Sequence, residues 1–160
     1  MKDTIQQLRE HLTYLLSGGD AHIHFDDLVR NFPTDLINRK VDAVPYTVWE
    51  VLEHMRIAQW DILEFSRNSD HVSPEFPKGY WPAANVEGSV ERWQQTIESF
   101  RADLRAMQDL VNDPAVDLFA PIPHGDGQTV LREALLVADH NAYHLGTLAL
   151  LKRLLMADKP

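Results

Sequence analysis

Cysteine is absent from all 160 residues, which excludes disulfides, thiolate metal sites and a sulfur nucleophile of the protein's own. Any thiol chemistry therefore has to come from outside. Long apolar runs are missing too: no stretch approaches the roughly 20 residues of a membrane helix, and Met1-Lys2-Asp3-Thr4 leads into a mixed polar pattern rather than a signal-type segment. The cytoplasm is the expected location. Basic residues are scarce, with 15 Lys and Arg against 24 Asp and Glu and a formal net charge of -9. Such a surface repels phosphate backbones and anionic lipid, so neither nucleic acid nor membrane is expected as a partner. Repeats and low-complexity tracts are also lacking, and a hydrophobic fraction of 44% suits a single domain over residues 1–160.

What is present is helical periodicity. Ile5, Leu8, Leu12, Leu15 and Leu16 predict a first helix over about residues 3–17, stopped by Ser17-Gly18-Gly19. Residues 20–46 carry two short apolar clusters, Phe25-Leu28-Val29 and Leu36-Ile37, and predict one or two short helices in a long connection. Thr47-Val48-Trp49-Glu50 matches a capping box and opens a second long helix that runs to about Ser66. A proline- and aromatic-rich connection over 67–87 precedes a third helix at about 88–111, with Trp93, Ile97, Phe100 and Leu104 on one face. A fourth begins near Thr129 and continues to about Met156. Four such helices with long connections and short extra helices predict an all-α four-helix bundle, in which an up-down-up-down order is not required.

The fourth helix holds Asp139-His140-Asn141-Ala142-Tyr143-His144, two imidazoles one turn apart on one face. Spacing alone is weak, because eight histidines in 160 positions give about 0.4 such pairs by chance. Context adds weight: that face also carries Leu136, Val137, Leu148, Leu151 and Leu155, and an unpaired polar group there costs about 1 to 3 kcal/mol. His54 on the second helix is the candidate third ligand, with Glu50 and Asp61 on the same face as candidate general bases. Three imidazoles suit a divalent ion such as zinc, nickel or iron and leave coordination positions open. The alternative is three core histidines hydrogen-bonded to Glu50, Asp61, Glu133 or backbone carbonyls. The pair lacks the glutamate of the HExxH motif, which disfavours a metalloprotease.

Trp49-Glu50-Val51-Leu52-Glu53-His54, Ala58-Gln59-Trp60-Asp61-Ile62-Leu63 and Ala138-Asp139-His140-Asn141-Ala142-Tyr143-His144-Leu145-Gly146 closely resemble the DinB-like (DinB/YfiT) family of metal-binding bundles. The resemblance spans nearly the whole chain and places His54, His140 and His144 at that family's three ligand positions. It implies an up-down-down-up bundle, and several better-understood relatives are metal-dependent enzymes that use low-molecular-weight thiols as S-transferases or isomerases. It therefore implies a thiol cosubstrate and a small electrophilic substrate here. A metal-dependent hydrolase and a non-catalytic metal-binding or stress-associated protein are the competing readings, because fold and motif license a reaction class only by analogy.

Other residues carry plainer expectations. His22 and His24 read as caps of a short helix, and His11, His71 and His124 are not ligand candidates, the last two sitting in polar loops. Glu133, two turns before His140, reads as a complement to the helix dipole, with orientation of an imidazole as the alternative. Tyr80-Trp81-Pro82 serves either as a closure over substrate or as a plug of the bundle end. Ala138, Ala142, Leu145 and Ala149 form a second apolar stripe on the fourth helix, which predicts a homodimer through it, with packing against residues 20–46 as the runner-up.

Overall fold

A computed structural model of the chain describes residues 3–42 and 44–157, which include five α-helices and no extended strand. They are α1 (Thr4–Leu16), the short α2 (Phe25–Val29), α3 (Val48–Arg67), α4 (Val90–Asn112) and α5 (Val130–Ala157). The four long helices start and stop within two residues of the predicted ends, inside the usual ambiguity of helix termini. Local chemistry sets those starts. The capping box at Thr47 is formed in full, Glu50 N donating to Thr47 Oγ1 at 3.2 Å and Thr47 N to Glu50 Oε2 at 2.7 Å. Ser89 caps α4 by accepting from Arg92 N.

Helix α3 packs against both α4 and α5, and α1 completes the bundle against the same two. Side-chain contacts give the directions. Glu53 meets Thr96 and Gln59 meets the Phe100 carbonyl, so α3 and α4 are parallel. His54 meets His144 and Gln59 meets Asn141, so α3 and α5 are antiparallel. Thr13 meets Asn112 and Ser17 meets Gln108, so α1 opposes α4. The order is up-down-down-up, as the family resemblance implies. Parallel neighbours α3 and α4 require the chain to travel back the length of the bundle, which residues 68–89 do at up to about 3.3 Å each. That strand of loop is fastened at its end by Asn38, whose side chain donates to Gly88 O at 2.8 Å and accepts from Gly88 N at 2.9 Å. Gly88 is needed there, since a Cβ would lie 2.8 Å from the Trp49 ring.

At about 1.5 Å per residue, α1 spans about 20 Å and the 28-residue α5 about 42 Å, so α1 covers only half of α5. Residues 25–37 cover the other half. Phe25, Leu28, Val29 and Phe32 bury themselves with Trp93, Phe100, Leu148 and Leu151, and each such side chain contributes about 1.5 to 3 kcal/mol. A five-residue helix is held by that packing rather than by propensity. This also corrects the expected dimer stripe: Leu145 is buried in this cluster, Ala149 packs on it, and Ala138 packs on the second cluster around Leu12, Leu63 and Val137. The runner-up, packing against residues 20–46, is what occurs for Leu145 and Ala149.

Candidate metal centre

Between the two apolar clusters lies a polar layer. Gln59 Nε2 donates to Phe100 O at 2.7 Å, and Asn141 Nδ2 donates to Gln59 Oε1 at 2.8 Å. Beside it, on the faces where α3 and α5 meet, His54 Nε2 lies 3.1 Å from His140 Nε2 and 3.1 Å from His144 Nε2. Ligand nitrogens of all three histidines fall within 4.8 Å of one another. Two imidazole nitrogens at ordinary bonding distance from one ion stand about 3.3 Å apart at a tetrahedral angle and about 2.9 Å apart at a right angle. The observed spacing lies between these values, so the donor set fits a single divalent ion.

The direction of the His54 proton supports the same geometry. Its Nδ1 lies 2.7 Å from the carbonyl oxygen of Tyr80, which can only accept, so the proton sits on Nδ1 and the Nε2 lone pair faces the other two rings. One lone pair cannot accept hydrogen bonds from both neighbours, whereas a cation serves all three rings. Burial pushes His140 down to about 4, helped by His54, and burial likewise pushes His144 down to about 4, helped by His140 and His54. Burial lowers His54 as well, opposed by its bond to Tyr80. All three are therefore neutral near pH 7, which is the ligating form.

The loop after α3 fixes the His54 ring. Trp81 stacks on it at 4.1 Å with planes 6° apart, and Tyr46 stacks on Trp81 at 4.4 Å. Of the two expected uses of Trp81, its position is neither a free lid nor a plug, but a support for a ligand ring. The Tyr80 hydroxyl donates to Asp61 Oδ2 at 2.6 Å, and His71 Nε2 meets Asp61 Oδ1 at 2.7 Å. Burial, with the Asp61 bond, pushes the Tyr80 hydroxyl up to about 12. His71, although it sits in a polar loop, is buried: its side chain is 6% exposed and bonded to a buried carboxylate.

A cavity of about 390 Å³ opens onto His54 and His140, within the size range of small-molecule sites. Its walls include Ile62, Phe65, Phe76 and Leu136 on the apolar side and Asp61, Arg132 and Glu133 on the polar side. Glu133 stands in the first turn of α5, as a dipole complement would, but is 2% exposed and accepts from Arg132 at 2.6 Å. Sequence reasoning missed its place in the cavity, since a first-turn glutamate looks the same in either role. Glu50 has its carboxylate in the capping box. A second cavity of similar volume, between Trp49, Arg56 and Arg92, lies away from the histidines, and its Glu53 is already bound by Arg56 and Thr96. His22 and His24 bond to the carbonyls of Ile23 and Ser17, away from the cluster, and His124 to that of Phe65.

Comparison with known proteins agrees with this geometry. A family model described as the DinB superfamily matches residues 23–148, and the chain belongs to that superfamily. No curated protein and no solved structure matches it.

Proposed function

We propose that this DinB-superfamily protein is a metal-dependent enzyme of the S-transferase type, acting as a cytoplasmic homodimer on a small electrophile and a low-molecular-weight thiol. In this reading His54, His140 and His144 hold one divalent ion, zinc, nickel or iron. The observation that carries it is the convergence of three neutral imidazole nitrogens, two of the distances being 3.1 Å, at a cavity large enough for a small molecule. A bound divalent ion would supply Lewis acidity there, lowering the pKa of a thiol or of water.

The chain's own residues do the rest. Tyr80 O holds the His54 proton away from the site, and Trp81 fixes the plane of that ring. Ile62, Phe65, Phe76 and Leu136 shed water from the apolar part of a substrate. Because cysteine is lacking, the sulfur must arrive with the cosubstrate. Hydrolysis is the second reading, favoured by the carboxylates of Asp61 and Glu133 on the cavity wall. A base among them would have to give up a partner, since Asp61 holds His71 and Tyr80, Glu133 holds Arg132, and Glu50, the other base candidate, holds its capping box.

The test is elemental analysis of protein purified without an affinity tag, paired with thermal melts. About one equivalent of metal is expected in the wild type and under about a tenth in His140→Ala. A small thiol is expected to raise the melting temperature only of metal-loaded protein. Equal metal content in both proteins would overturn the three-histidine site. Turnover of simple esters without thiol would favour hydrolysis.

A further inference from the structure

The cavity beside the histidines runs along α5 from His140 back to Arg132, eight residues and so about 12 Å. Leu136 on α5, with Ile62 and Phe65 on α3, gives it an apolar wall between those ends. Phe76 borders the same space from the loop, yet is 81% exposed, so the chain leaves an aromatic ring in water at the cavity wall. A ligand lying against that ring would gain from covering it.

Arg132 gives the far end its character. Its Nη1 donates to Glu133 Oε1 at 2.6 Å, its side chain is 58% exposed, and Nε and Nη2 have no partner among the described residues. Those two atoms form the flat edge of the guanidinium, whose parallel N–H bonds match the two oxygens of a carboxylate. The carboxylates of the cavity leave that edge open: Glu133 is bound through Nη1, and Asp61 is held by Tyr80 and His71. With Glu133 alongside, one guanidinium suits a single negative charge better than a dianionic phosphate.

We infer that the cavity takes an elongated acid, with a metal-binding sulfur at the histidines, an apolar stem against Phe76 and Leu136, and a carboxylate on Arg132 about 12 Å away. This rests on the thiol reading above and adds the chemical class of the molecule, with Arg132 as the residue that selects it.

Matched thiols test it, titrated calorimetrically into the zinc-loaded full chain. The ω-mercapto acid mercaptooctanoate is expected to bind at least about tenfold more tightly than mercaptooctanol, which has the same stem and no charge, and than mercaptoacetate, which is too short to reach Arg132. Arg132→Gln should bring the ratio of mercaptooctanoate to mercaptooctanol affinity close to one. Phe76→Ser, a change at an exposed position that leaves the core alone, should weaken both long thiols by about fivefold or more. Equal affinities of the two long thiols in the wild type, or a ratio that survives in Arg132→Gln, would overturn the inference and leave the thiol reading in place. Affinities unmoved by Phe76→Ser would overturn the placing of the stem. Failure of all three thiols to bind would overturn the thiol reading itself, and the inference with it.

Discussion

His140 and His144 differ from ordinary surface histidines in the price of charging them. Both are pushed down to about 4, chiefly by burial, with His54 adding to the shift of each and His140 adding to that of His144, while in an unfolded chain they titrate near 6.5. Between those values the unfolded chain binds more protons than the folded one, so stability rises with pH across the window. Metal-free protein is therefore expected to lose stability as pH falls from about 6.5 to about 4, on top of any contribution from carboxylates. A His140→Ala/His144→Ala double variant should show a shallower slope in urea midpoints measured at about pH 7, 5.5 and 4.5. Parallel slopes would mean that these two rings do not stay neutral in the fold. The pair is legible in the sequence, because a four-residue spacing on an apolar helix face is a local pattern. Its convergence with His54 is not, since 86 residues separate His54 from His140 and only the antiparallel packing of α3 on α5 joins them.

The loop between α3 and α4 shows why some of the site lies beyond sequence reading. Its length is legible as an excess over what a turn needs, and its proline and aromatic content marks it as more than a linker. Its two decisive contributions are not. One is a backbone carbonyl, that of Tyr80, which any residue could supply; the other is the Asp61–His71 bond, which forms only after the chain turns back at the end of α3. Asp61 reads in the sequence as a carboxylate near a histidine, and in the fold both of its oxygens are engaged by this loop. Tyr80→Phe removes the hydroxyl anchor while keeping the carbonyl, and Trp81→Ala removes the stack on His54. Each is expected to weaken zinc binding by about 10- to 100-fold in competition with a chromophoric chelator, the usual cost of losing an outer support of a ligating histidine. Unchanged affinity in both would show that the His54 ring needs no help from the loop.

At the scale of the whole molecule, the question is whether a bound ion would hold the fold together or only occupy it. The histidines come from α3 and α5, helices that already pack extensively on each other, α3 also on α4 and α5 also on α1. Apolar clusters lie on either side of the polar layer, one built around Trp93, Phe100 and Leu151 and the other around Leu63, Met107 and Val137. Arg9 adds a tie at the far end: although 5% exposed, its guanidinium donates to the carbonyls of Val111 and Val116, where the dipole of α4 favours a cation. None of these contacts passes through the histidines. Removal of the ion should therefore leave a folded, cooperative protein. An ion at about 100 times its dissociation constant adds about 2.7 kcal/mol, which in a chain of this length moves the melting temperature by about 5 to 10 °C. Chelation is expected to lower the melting temperature by that amount with helical circular dichroism retained, and stoichiometric zinc to restore it. If chelation instead abolishes the cooperative transition, the ion is part of the fold, and the three histidines belong to a structural site rather than a catalytic one.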